Sequence, residues 1–261
     1  MIPPATVREE FLARGPVSRL QGGRGTAWRA GDVVLKPLDV HPDELLWLDE
    51  RARATVESDR LRLSLPLRSR ARQLVVDGWS ASPYVAGAHR PGMWMEIAEV
   101  AREFSALFAD VERPAFIDLR MHAWAQADRL AFGEDEVRVP DAAPHVAKLS
   151  SARTEVFDPS CIVHGDLTGN VLFADSRSPA VIDLTIYWRP VAYSIAIVAI
   201  DAVCFEGAPL SLLETIHPAP QFGQYLIRAL LFRIATDWLN GLPADHYRVY
   251  DDAVERVLEL G

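Results

Sequence analysis

Apolar and polar positions change their rhythm once along this chain, near residue 87. From about Leu20 to Val85 the apolar residues come in short runs of β type: Thr26 to Ala30, Val33 to Lys36, Leu61 to Leu65, Gln73 to Val76 and Trp79 to Val85. Glycine pairs and Asp-Gly or Gly-Asp steps separate them, as hairpins require. One helix interrupts the set; His41-Pro42-Asp43 opens it with a proline near the first turn, and Leu45, Leu48 and the Ala52/Ala54 region follow at helical spacing. After Gly87 the spacing becomes helical. Trp94, Ile97, Ala98, Ala101, Phe104 and Phe108 form one stripe, Arg120 to Phe132 and Pro144 to Phe157 read as two further helices, Phe222 to Leu239 as another, and Tyr250 to Leu258 as the last. Between them lies a β island of three short runs, Cys161 to Val163, Val171 to Phe173 and Val181 to Ile182. Strands followed by helices predict an α+β architecture with segregated layers. Pro and Gly cluster at Tyr84 to Gly92, which puts the expected boundary between a sheet-rich part, 1–86, and a mainly helical part, 87–261.

Composition narrows the partners. The chain has 261 residues, 49% of them apolar, and a net charge of −9. That charge argues against a nucleic acid or an anionic membrane, whose sequence-independent binding draws on clustered Lys and Arg. Val191 to Phe205 is the most apolar stretch, but it is too short to cross about 30 Å of hydrocarbon and reads as a buried core helix. Cys161 and Cys204 form no CxxC pair, so neither a disulfide framework nor a thiolate zinc site is expected. With an N-terminus lacking a basic-then-apolar signal pattern, these thiols suggest a reducing cytoplasm.

The densest chemistry lies in Ile162-Val163-His164-Gly165-Asp166-Leu167-Thr168-Gly169-Asn170-Val171-Leu172-Phe173, followed by Val181-Ile182-Asp183. Two apolar strands flank a polar loop holding Asp and Asn, and a further strand ends on a second Asp. The tripeptide His-Gly-Asp alone could be a turn. Phosphoryl transfer through a loose transition state needs an oriented acceptor and charge neutralisation. One carboxylate and an Asn/Asp pair able to hold magnesium would supply both.

A second signal runs from Leu20 to Pro37. Gly22, Gly23 and Gly25 lie in a hairpin where glycine lets the backbone approach phosphates, and Lys36 follows Val33-Val34-Leu35 at the edge of a buried strand. An unpaired ammonium there is costly, so a carboxylate or phosphate partner is expected. The stretch has no GK[ST] ending and no following helix, so it is not a Walker A loop. Read alone, it is equally a plain hairpin.

Taken in order, these blocks resemble the aminoglycoside phosphotransferase family, which shares its protein-kinase-like fold with choline and fructosamine kinases. The resemblance implies an α+β, bilobal fold with a mostly antiparallel N-terminal sheet carrying one helix and a helical C-terminal lobe with a small β island. It implies Asp166 as catalytic base, Asn170 and Asp183 as magnesium ligands and His164 as a loop-positioning residue. It further implies that Gly23, Gly25 and Lys36 face the phosphates of ATP or GTP, that Glu44 (or Glu50) pairs with Lys36, and that backbone groups of Tyr84, Val85 and Ala86 meet the base. The loop from Asp166 to Asn170 has three intervening residues where the family usually has four.

Next to Asp183, the aromatic run Tyr187-Trp188-Arg189 could line an acceptor pocket, with Arg189 facing an anionic group, or could be packing. Asp201, inside the apolar helix, is expected to be satisfied by backbone amides or a neighbouring Arg. The remaining histidines show no metal spacing and suit surface or capping roles. The function implied is transfer of a γ-phosphoryl group to a hydroxyl of a small molecule; the alternative is a nucleotide-binding protein of the same fold without turnover. A metal-dependent hydrolase is disfavoured, because no further His or carboxylate ligands accompany the two Asp residues.

Overall fold

The computed structural model describes residues 1–21, 25–53, 60–135 and 144–261. Among these the strands, in chain order, are β1 (Val17–Arg19), β2 (Trp28–Ala30), β3 (Val33–Pro37), β4 (Arg62–Leu63), β5 (Trp79–Pro83), β6 (Cys161–His164), β7 (Val171–Ala174), β8 (Arg177–Val181) and β9 (Ile186–Arg189). The chain separates into two compact units. The first comprises Met1–Arg90, Ala106–Leu119 and Gly169–Thr185; the second comprises Pro91–Ser105, Arg120–Thr168 and Ile186–Gly261.

In the first unit β1, β2, β3 and β5 form an antiparallel sheet in that spatial order. Alternation along β3 decides what each side chain meets: Val33 and Leu35 point into the core and Lys36 points to the other face. Val7 of the short Ala5–Glu10 helix and Phe11, its C-cap, complete that core with Ala30, Trp79 and Ala81. The Pro42–Trp47 helix begins as the sequence predicts. His41 caps it, its Nδ1 accepting from the Asp43 amide, and a π turn, Leu48–Ala52, continues it. Ala54, assigned to the same helix from sequence, lies outside the described residues. Trp47 packs its ring against Phe108 and Phe116. Buried Asp49 gathers the guanidinium groups of Arg53 and Arg68 at 3.0 and 2.6 Å.

Strand pairing here differs from what the sequence predicts. The run at 61–65 does not extend the N-terminal sheet, and the three runs of the β island do not form one sheet. β4 pairs in parallel with β8, which pairs antiparallel with β7, all within the first unit. β6 pairs instead with β9, in the second unit. The run at 73–76 supplies only a single bridge, Val76 to Trp79. Two-residue strands carry too little periodicity to announce their partners.

The second unit is helical around the β6–β9 ladder. The Val191–Phe205 helix is buried continuously from Ala192 to Ala202, as an all-round apolar sequence requires. The Phe222–Leu239 helix packs on it and on Ala123–Phe132. Asp251–Leu260 turns Ala253, Val254 and Val257 inward. Gly223 is glycine because a Cβ there would lie 2.6 Å from the Leu260 carbonyl oxygen. His122 accepts from the Ala125 amide and so starts its helix later than the apolar pattern alone suggests.

Candidate active site

The first unit assembles part of the expected site from three segments. Lys36 leaves β3 opposite Ser80 of β5, and its Nζ lies 2.8 Å from Asp183 Oδ1 and 3.5 Å from Asp39 Oδ2. Burial alone would push the ammonium pKa down; the Asp183 and Asp39 carboxylates outweigh it, and the value is raised above 10.5. Asp183 follows β8 in a left-handed conformation with φ of 50°, uncommon for a residue with a side chain. The Thr185 hydroxyl donates to the Asp183 carbonyl. Asn170 immediately precedes β7. Val171 stands opposite Val181, and the Ile182 amide donates to the Asn170 carbonyl at 3.0 Å, so Asn170 and Asp183 occupy the same end of one hairpin. An amide oxygen and a carboxylate are hard donors of the kind magnesium takes, with waters and phosphate oxygens completing its shell. Among the described residues, no group of three His, Cys, Asp or Glu side chains is placed to hold a metal alone.

Other expected residues fall out differently. Gly25 is left-handed, with φ of 61°, and its carbonyl accepts from Arg19 Nε. Gly23 lies outside the described residues. Glu44 is buried, at 1% exposure. The carboxylates meeting Lys36 among the described residues are those of Asp183 and Asp39, where the family resemblance implied Glu44 or Glu50. The Tyr84 amide is already donated to the Asp32 carbonyl at 2.8 Å, and its ring lies under the Arg29 guanidinium at 3.4 Å, so that amide has no proton left for a nucleotide base. Val85 is half-buried and Ala86 exposed. Gly87, with φ of 148°, lets the next residue bridge to β7; a Cβ there would press on the Phe173 carbonyl at 3.0 Å.

The second unit holds the His-Gly-Asp loop. His164 ends β6, fully buried, with Phe104 edge-on to its ring at 5.6 Å. Its Nδ1 accepts the Asp166 amide at 3.0 Å, and its carbonyl accepts from the Ser194 hydroxyl at 2.6 Å. The loop is thus fixed from both sides. Gly165 lies against Tyr187, whose ring a Cβ would meet at 2.3 Å. The Asp166 side chain is about two-fifths exposed, and its Oδ1 takes Nη2 of Arg233 at 2.7 Å. Arg233 also binds Asp201, its Nε lying 2.7 Å from Oδ1. Burial pushes the Asp201 carboxyl up to about 6, against the pull of Arg233. Arg233, which touches Asp166, is not among the residues that the sequence singles out. The available signal was a charged residue within an otherwise apolar helix stripe, matched by Asp201 in another.

The aromatic run after Asp183 has resolved toward packing at two of its three positions. Tyr187 is 2% exposed and stacks edge-on with Phe232. Arg189 meets carboxylates of its own chain, Asp128 at 2.7 Å and Glu134 at 2.6 Å, and lies 3.9 Å over the Phe132 ring. Of its two readings, an acceptor-facing cation or packing, these ion pairs favour packing. Trp188 is half-buried.

No protein-family model matches the chain, and no curated protein matches it by sequence. Solved structures do. An aminoglycoside phosphotransferase from Alicyclobacillus acidocaldarius superposes with a TM-score of 0.62 at 15% identity, covering 100% of this chain and 94% of its own. A choline kinase from Streptococcus pneumoniae gives 0.62 at 11% identity over 97% of this chain and 98% of its own. A thermostable aminoglycoside phosphotransferase mutant, in ternary complex with AMP-PNP and hygromycin B, gives 0.64 at 13% identity over 98% and 97%. The chain therefore has the protein-kinase-like α+β fold that aminoglycoside phosphotransferases and choline kinases share.

Proposed function

We propose that this protein is a magnesium-dependent small-molecule kinase that transfers the γ-phosphoryl group of ATP or GTP to a hydroxyl. The observation that carries the reading is the Lys36–Asp183 contact, 147 positions apart in sequence, with Asn170 at the same hairpin end. It sets an ammonium beside a carboxylate at the hairpin end that also carries an amide residue, groups suited to meeting a phosphate and a metal ion in phosphoryl transfer. Fold likeness to phosphotransferases raises the prior without choosing the chemistry.

In this reading Gly25 and its hairpin cover the phosphates, Lys36 neutralises them, and the amides of Val85 and Ala86 meet the base. Asn170 and Asp183 hold magnesium, which when bound supplies charge neutralisation on the phosphate oxygens. Asp166 accepts the hydroxyl proton as the new oxygen–phosphorus bond forms and the bond to the departing diphosphate breaks. His164 and Gly165 set the position of Asp166. The acceptor is an alcohol-bearing small molecule, and the reducing compartment expected from the two free thiols is the cytoplasm.

Thermal shift with magnesium and ATP, GTP or neither tests the nucleotide step; saturation at a hundred times Kd should add about 2.7 kcal/mol to stability. Asp166→Asn should then abolish triphosphate consumption while keeping that shift. Unchanged consumption in the variant would show that Asp166 is not the base. A nucleotide binder without turnover, the reading favoured by the three-residue Asp166–Asn170 loop, would shift with nucleotide but consume none.

A further inference from the structure

Asp201 and Arg233 sit in the two most apolar helices of the second unit, at 4% and 9% exposure. A buried ion pair adds little stability over apolar packing of the same volume, so core formation alone gives no reason for them. The geometry supplies one. Arg233 presents one edge of its guanidinium, Nε and Nη2, to both oxygens of Asp201. That bidentate contact fixes the plane of the fork. Nη2 carries two protons: one goes to Asp201, and the other reaches Asp166 Oδ1 at 2.7 Å. A lysine could supply the charge but not two fixed directions from one planar group.

We infer that Arg233 is a positioning residue for Asp166, aimed by Asp201 so that the Asp166 carboxylate is held in one orientation toward the acceptor hydroxyl. The inference rests on the reading of Asp166 as base. It makes the Asp166 carboxylate a rigid element, its orientation set from the helical core as well as by the His164 turn. Such preorganisation acts on the bond-making step and leaves nucleotide binding to Lys36, Asn170 and Asp183.

The experiment compares Arg233→Met, Arg233→Lys and Asp201→Asn with Asp166→Asn in the full chain. Magnesium-dependent ATP consumption is measured with the best alcohol from an acceptor panel, or with water where no alcohol stimulates it. Arg233→Met should lower kcat about 10²-fold while the KM for ATP stays within about threefold. Millimolar guanidinium should restore part of that loss, a readout that a purely structural lesion would not give. Asp201→Asn should lower kcat less than Arg233→Met and gain nothing from guanidinium. If Arg233→Met does not fold, Arg233→Lys and Asp201→Asn carry the test, both expected to lose kcat selectively. Variants that keep native kcat while Asp166→Asn abolishes it overturn the inference and leave the base intact. Native protein consuming no more ATP than Asp166→Asn overturns the base reading, and the inference with it.

Discussion

Gly165 and Lys36 illustrate how single residues set this site. The Tyr187 ring leaves no room at Gly165, so Gly165→Ala must displace either the ring or the loop that carries Asp166. Overpacking of this kind costs about 1–3 kcal/mol, to be read as a lowered urea midpoint, and turnover should fall with it. For Lys36 the folded pKa is raised. Its ion pairs therefore contribute stability that is fully present below 10.5, the unfolded value, and lost as pH rises through the folded one. Native protein and Lys36→Met should differ in unfolding free energy at neutral pH and converge in strong alkali; a constant difference would mean that charge is not what Lys36 contributes. Asp166, Asn170 and Asp183 stand out in the sequence because they interrupt short apolar strands, two in one polar loop and one at a strand end. Lys36 was legible as a cation needing a partner. The partner itself was not, since it lies 147 positions away and Glu44 stood nearer in sequence.

Among the elements, β9 shows where a linear reading loses the side chain's direction. Tyr187, Trp188 and Arg189 alternate along a strand paired to β6, so neighbours in sequence meet different surroundings. Arg189 goes to Asp128, which is buried and whose carboxyl burial pushes upward in pKa despite the arginine. Removing Arg189 strands that charge. Arg189→Met should cost about 3–5 kcal/mol by chemical denaturation, with nucleotide-induced thermal shift retained. A variant of native stability that has lost only acceptor affinity would restore the pocket reading. Helices were easier to read than strands because their stripes span many residues: Val191–Phe205 appears where its hydropathy places it. The two-residue β4 could not announce its parallel partner, and the sequence suggested one β island where there are two separate sheets.

At the scale of the whole molecule, the fold persists at 11–17% identity to its structural neighbours, without a matching family model. The first unit depends heavily on long-range pairings. Its strand at Arg62–Leu63 waits for Arg177–Val181, and the Arg62 guanidinium binds the Ser178 carbonyl from 116 positions away. A ribosome adding about 5–20 residues per second needs on the order of ten seconds to deliver that partner. Arg62–Leu63 thus emerges early but pairs late, an unpaired strand in the interval. Chaperones that shield unpaired strands would find their longest opportunity there, before Asp183 has left the exit tunnel.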